Sequence, residues 1–481
     1  MATVTTNNIR VENAKNLVSS IVGSYVFIGR PTPWSTNQDT PPAPSNDFSG
    51  FYDTCHQMMS LKIVASTEVY HMIRRINWTS GIIYDIYRHD YNQTNTTYSG
   101  TNNLYNGNYV VINQNNDVYV CLYNANNKAS TVEPQNTGNT SFYTSDGYQW
   151  LKVYSLNSTQ FENYTTTSFI PITSNEVVTG VDGEINTVII DSAGSDYTSS
   201  PAGVVNQIPY YYAKIVGDGS GAVARITVSN GSITNITVVR GGSGYTYANL
   251  TFESGKVYET LADLDLGVNS LNPLGDGTFT STVIISPPGG WGSDLLRQLG
   301  GTRVGVFSSL DYDESDFTTD VEFRQLGIID NITSRNPGGG TLSAYYSIAC
   351  TTVSGASNFT IGETIQQTVV VDEIEHIAKG TCVGWDSTNN IVRFIQDPKT
   401  DADTDGNLYE FEGDEYIIGI TSGKIVVPSE FTGELESSNF TDGYADPEYV
   451  KCTGDLLYVS NTAPVLRQPG QKEDISIIIA Y

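Results

Sequence analysis

Residues 185–198 read INTVIIDSAGSDYT, and residues 233–246 read ITNITVVRGGSGYT. Both begin with apolar residues in the order Ile-x-x-Val/Ile-x-Ile/Val and end in Gly-Ser-Asp/Gly-Tyr-Thr. Each copy reads as a strand, a glycine turn and an aromatic clamp. Between them Ala222, Ala224, Ile226 and Val228 alternate, which puts them on one face of a further strand. Two copies are too few for a solenoid, which needs about three to bury a continuous core. The stretch therefore predicts a small β module set into a larger β-rich domain.

The same character extends in both directions. Residues 108–113 and 117–123 are β-rich runs joined by a turn-prone Gln-Asn-Asn connection, and 148–154 and 169–172 read as further strands. A second module is predicted over about 341–425, with strands at 381–384, 391–395 and 416–420. The chain closes on Ile475, Ile477, Ile479 and Tyr481, which share a face and predict a terminal strand tied into a sheet. Near the start Val11, Ala14, Leu17, Val18, Ile21 and Val22 recur at helical spacing, with Gly23 as a stop. A short strand at 25–28 follows, then an extended proline-rich segment at 31–44. A second helix is predicted between Phe51 and Arg75, opposed by the β-branched Ile63, Val64 and Thr67.

Composition excludes several function classes. A chain of 481 residues is too long for one ordinary core. Its 52 acidic residues against 24 basic ones repel nucleic-acid phosphates, and Arg74-Arg75 is a pair, not a basic stripe. The five cysteines, Cys55, Cys121, Cys350, Cys382 and Cys452, are odd in number, widely spread and free of Cys-x-x-Cys, which predicts a reducing compartment without a disulfide framework or zinc site. The N-terminus lacks a signal-peptide pattern, and no apolar run reaches the ~20 residues of a membrane span. Sequons such as that at Asn77 are then a by-product of Asn- and Thr-rich composition.

Few residues suggest chemistry. Asp401, Asp403 and Asp405, with Gly406 and Glu412, satisfy the Asp-x-Asp-x-Asp-Gly-x5-Glu pattern of a calcium loop, in which alternate carboxylates wrap a hard cation. Strand-like flanks oppose a helix–loop–helix hand and favour a solvated acidic turn. Calcium is the sole cofactor candidate. The four histidines form no ligand spacing. No nucleophile elbow is present, and Gly217–Gly221 lacks the Lys-Ser/Thr of a phosphate loop. The 31 tyrosines suit strands and interfaces better than sugar stacking.

Several local signatures, in order, resemble the gene-eight product family of T-even-like contractile-tailed phages, a baseplate wedge protein. They are Phe27-Ile28-Gly29-Arg30 with Pro33-Trp34-Ser35; Asp53 with Met58-Met59; Arg74-Arg75, Asn77-Trp78, Tyr84 and Tyr87; Asp146-Gly147-Tyr148-Gln149-Trp150; Glu322-Phe323-Arg324-Gln325-Leu326-Gly327-Ile328-Ile329; Tyr444-x-Asp446-Pro447; and Gly454-Asp455-Leu-Leu-Tyr458 with the closing Ile-rich strand. The resemblance covers roughly 8–180, 300–335 and 430–481, and leaves two stretches as insertions. It implies a mainly β fold, with a layered β-sandwich core, short helices in side loops and two small inserted β modules. The domain expectation is a core over 1–180, 301–338 and 429–481, interrupted by modules at 181–300 and 339–428.

The family further implies a homodimer that contacts other wedge proteins in the virion's tail baseplate, assembled in the host cytoplasm, with no catalytic residues. No nucleic acid or membrane partner is expected. Trp34, Trp78, Tyr84 and Tyr87, aromatics beside turns, are the candidate protein-interface residues. The alternative function is a carbohydrate-binding or depolymerising tail fibre or tailspike.

Overall fold

The computed structural model describes residues 6–138, 140–173, 180–198, 210–310, 319–436 and 438–481. The protein is mainly β, 41% strand against 12% helix, with several sheets, half-barrels and a closed barrel. The helices are few and short, as the sequence predicts. The chain forms two compact units, residues 1–15, 70–304 and 479–481 in the first and 16–69 and 305–478 in the second.

In the first unit, Asp117–Asn124 pairs antiparallel with Val110–Ile112 and with Tyr148–Ser155, which in turn pairs with Phe142–Tyr143. Val118, Val120, Leu151, Val153 and Tyr154 pack into one apolar cluster, and Tyr119, Cys121, Tyr148 and Trp150 into another. Both faces of this hairpin are therefore covered. The repeat region has its own cluster. Ile185–Ser192 pairs with Thr280–Ile285, and Tyr210–Gly217, Val223–Ser229 and Ser232–Arg240 form a meander. Ala222, Ala224, Ile226 and Val228 do share its buried face.

The two aromatic clamps are real. Tyr197 and Tyr245 are 4% and 3% exposed. Gly194 and Gly242 hold φ of 61° and 64°, and a Cβ there would stand 2.6 Å and 2.9 Å from the respective ring. Glycine is needed on both counts, for the left-handed backbone and for the close approach of the ring.

In the second unit, one antiparallel sheet has the order Thr341–Ser343, Met58–Ile63, Tyr25–Gly29, Glu322–Asp330, Asp455–Leu466. Phe27, Met58, Leu61, Ile329, Leu342 and Tyr449 fill its core. The strands Ile391–Ile395, Ile374–Asp386, Thr364–Val371, Ile417–Gly419, Ile425–Pro428 and Tyr346–Ser354 follow one another, and the last pairs back to the first. That closing pair makes the sheet a barrel around Ile348, Ile365, Cys382, Phe394 and Ile417. The terminal strand Glu473–Ala480 is hydrogen-bonded to Arg303–Leu310.

The N-terminal helix runs Asn7–Ile21 and buries Val11, Ala14 and Ile21; Gly23 follows at φ 94°. The second predicted helix ends early. It spans Phe48–Gln57 only, and the chain turns directly into strand Met58–Ile63 and then Val69–Arg74. The β-branched Ile63 and Val64 prefer a pleated surface, and that preference decides the outcome. Among the described residues, no helix is long and apolar enough to cross a membrane.

Candidate functional site

One exposed apolar surface of the second unit begins at the proline-rich segment. Asp47 caps the helix Phe48–Gln57 by accepting the Gly50 N–H at 2.7 Å. The Gly50 N–H holds the Asp47 carboxyl below its ordinary range. The helix turns Thr54, Cys55 and Gln57 inward and leaves Phe48 85% and Tyr52 52% exposed. Facing them is the start of strand Asp455–Leu466, where Leu457 is also exposed. Between these walls lies a groove of about 840 Å³, lined among others by Phe48, Phe51, Tyr52, Leu456, Leu457 and Tyr458.

Among the described residues the strand Asp455–Leu466 is an edge strand, paired with Glu322–Asp330 on one side only. Its other edge is partly covered. The Trp34 indole N–H donates to the Thr462 carbonyl at 3.1 Å, and the Asn461 side-chain amide donates to the Pro42 carbonyl at 2.9 Å. Arg324, 4% exposed, fixes the covering segment by donating to the Pro31 carbonyl at 2.6 Å and to Gln38 Oε1 at 3.2 Å. The Gln38 amide in turn donates to the Trp34 carbonyl at 2.7 Å, and the Arg30 guanidinium lies 4.0 Å over the Trp34 ring. The lid thus reaches residues 461–462, whereas the groove opens along 454–459.

This geometry corrects the aromatic contact residues expected from the sequence. Trp34, Tyr84 and Tyr87 are 7%, 1% and 3% exposed, so they stabilise the fold and offer no surface to a partner. Tyr84 packs edge-on to Trp150, and its hydroxyl donates to the Thr79 carbonyl at 3.2 Å. Tyr87 packs edge-on to Trp291. Trp78 is half-buried, its indole N–H donating to Ser130 Oγ at 3.1 Å. An aromatic beside a turn can close a core as well as face a partner, and composition alone does not separate the two. The exposed aromatics Phe48 and Tyr52 were legible as FSGFYD after a capping Asp47, but their spacing reads equally as a buried helix face.

The four calcium-loop carboxylates do not converge. Asp401 is 5% exposed, and its Oδ2 accepts the Asp397 N–H at 2.8 Å in the short helix Pro398–Asp401. Burial pushes its carboxyl up. Asp403 instead holds the turn, accepting the N–H groups of Asp405 and Asn407 at 2.9 and 2.8 Å and the Tyr409 hydroxyl at 3.1 Å. Those bonds, the Asn407 N–H first, hold it below the ordinary carboxylate range. Asp405 and Glu412 are exposed. Among the described residues, no group of three or more His, Cys, Asp or Glu side chains is placed to hold a metal ion.

No protein-family model matches the chain, and no curated protein matches it.

Proposed function

We propose that the chain is a non-catalytic structural subunit of a contractile-tail baseplate wedge, and that it self-associates through the groove beside the edge strand Asp455–Leu466. The observation that carries this reading is the exposed apolar surface of Phe48, Tyr52 and Leu457 next to an incompletely covered sheet edge. Two copies each carrying a net charge of -28 repel, which favours a contact poor in charge, and the groove lining carries Asp47 and Asp455 as its charged residues. Residues 456–466, LLYVSNTAPVL, carry none. Antiparallel pairing of an edge with its own copy satisfies a twofold axis, the commonest symmetry of homodimers. The order of signatures shared with the gene-eight family supplies the wedge context, in which interfaces repack between discrete states while subunits move as rigid bodies.

Sedimentation velocity on the full chain tests the contact. The expected result is a dimer at micromolar concentration that Phe48→Glu and Leu457→Glu convert to monomer with the far-UV spectrum intact. A wild-type monomer, or a dimer that both variants leave unchanged, overturns the contact. Failure to form a stoichiometric complex with purified neighbouring wedge proteins overturns the wedge assignment. Turnover of a polysaccharide by the pure protein would put the tailspike reading in its place.

A further inference from the structure

The helix that walls the groove ends in Cys55, His56 and Gln57, and the turn that leads into the edge strand carries Lys451 and Cys452. We propose that Cys452 is a peroxide-reactive thiol and that Cys55 resolves its oxidised form into an intrachain disulfide.

The geometry is a built cluster, not an isolated thiol. Cys452 packs against the buried cluster that contains Cys55. Cys452 Sγ lies 3.7 Å from His56 Nε2, and Lys451 Nζ donates to the His56 carbonyl at 3.0 Å. The Tyr449 hydroxyl donates to the Cys55 carbonyl at 3.2 Å and so fixes the end of the helix. Cys452 holds a φ of 59°, a left-handed backbone that a non-glycine residue keeps only where its surroundings enforce it. Those surroundings set its sulfur beside His56.

Exposure separates the five cysteines. Cys55, Cys121, Cys350 and Cys382 are buried, and Cys452 alone is partly open to solvent. Electrostatics separates them in the same direction. The Cys55 thiol, and then His56 and Lys451, pull the Cys452 thiol down against its burial. Cys452, and then burial, push Cys55 up. Burial first of all pushes the other three up, with nearby carboxylates adding to it at Cys121 and Cys382. The thiolate is the nucleophile, so the accessible, charge-stabilised sulfur reacts first and the buried neighbour stays a thiol until an electrophilic sulfur appears beside it.

The chemistry balances with a peroxide as oxidant. The Cys452 thiolate attacks one peroxide oxygen, the O–O bond breaks, and the sulfur leaves as a sulfenic acid while the released hydroxide takes up a proton to become water. Cys55 sulfur then attacks the sulfenic sulfur. The S–S bond forms, the S–O bond breaks, and the departing hydroxyl carries off the Cys55 proton as water. Two thiols lose two electrons, and one peroxide becomes two waters. Because both cysteines belong to one packed cluster, the second step calls on side-chain rotation within it rather than on a rearrangement of strands.

The inference stands apart from the wedge reading and from the dimer contact. The test treats the reduced full-length protein with hydrogen peroxide, alkylates it under denaturing conditions and maps the peptides by mass spectrometry. The expected product is one cross-linked pair containing Cys55 and Cys452, reversed by dithiothreitol. Cys55→Ser should leave a sulfenic acid on Cys452 that dimedone traps, and Cys452→Ser should abolish both products. His56→Gln, which keeps both thiols, should slow labelling of native Cys452 by iodoacetamide severalfold. Oxidation that appears first at another cysteine, or dimedone trapping absent from Cys452 in a folded Cys55→Ser protein, overturns the proposal. So does peroxide treatment that carries wild-type Cys452 to sulfinic acid without the cross-link.

Discussion

Lys152→Met should destabilise the first unit by about 3 kcal/mol. Lys152 and Asp117 are 5% and 7% exposed, and Lys152 Nζ stands 3.2 Å from Asp117 Oδ1. They sit at the paired ends of strands Asp117–Asn124 and Tyr148–Ser155, where Asp117 faces Ser155 and Tyr119 faces Lys152. Methionine keeps most of the lysine's length and removes the charge, so the loss reads the stranded carboxylate and not a cavity. Breaking a buried pair by removing one partner costs about 3–5 kcal/mol. Asp117 keeps the Ser155 hydroxyl, which donates at 2.5 Å, and that retained bond places the cost at the low end. For a unit of this size the loss corresponds to a fall of about 6–12 °C in melting temperature. Thermal unfolding followed by tryptophan fluorescence measures it, since Trp150 lies fully buried in the same strand. The double variant Asp117→Leu/Lys152→Met removes both charges and should recover to within about 1 kcal/mol of wild type. A single variant that melts within about 2 °C of wild type, a shift worth under about 1 kcal/mol, would refute the argument. A double variant as unstable as the single one would refute it too.

Asp146→Asn should cost about 1 kcal/mol, because Asp146 Oδ2 accepts the Thr131 and Val132 N–H groups at 2.8 and 3.0 Å while Oδ1 accepts the Thr144 hydroxyl, and an amide has one acceptor oxygen where the carboxylate has two. Burial raises this carboxyl, but the Thr144 hydroxyl and the backbone N–H groups outweigh it, and the net shift is downward. A depressed carboxyl stabilises above its unfolded value of about 4 and loses that contribution as pH falls through the lower folded value. The gap between wild type and Asp146→Asn should therefore hold from neutral pH to about 4 and close only below it, as chemical denaturation at stepped pH will read. Asp403→Ala should lower the melting temperature equally with and without calcium, since Asp403 holds a turn through Asp405 and Asn407. A calcium-dependent rise in wild type that this substitution abolishes would restore the calcium loop.

How far the sequence carried the fold depended on whether the signal was local. Strands at 25–28, 117–123, 148–154 and 391–395 were legible from β-branched and aromatic runs, and the structure places strands over each. The helix stop at Gln57 was only half legible, since Phe51, Thr54 and Cys55 keep helical spacing up to the point where Ile63 and Val64 take over. Lys152 misleads in another way. A lysine inside QWLKVY reads as the solvent face, yet the strand is covered on both sides and the charge is met by Asp117 from the neighbouring strand. Barrel closure through Tyr346–Ser354 and Ile391–Ile395 is a long-range pairing that periodicity does not encode. The same limit hid the thiol pair, because nothing local to Cys55 announces Cys452.

The distribution of cover along Asp455–Leu466 bears most on function. An open strand edge is a liability that proteins blunt with prolines, charges or an overlying loop. This chain uses two of those devices at one end of the strand, where Pro464 lacks an N–H and the segment around Trp34 and Pro42 caps Asn461 and Thr462. Both stop short of 454–459. Toward that end the overlying chain draws away into the helix Phe48–Gln57 and turns Phe48 outward, 85% exposed, which adds apolar surface where blunting would remove it. A capping aspartate, a helix and two aromatic rings could have closed the gap as readily as the proline segment closed its neighbour. That they line it instead supports the proposed self-association, under which a charge placed in the groove is expected to damage assembly more than the fold.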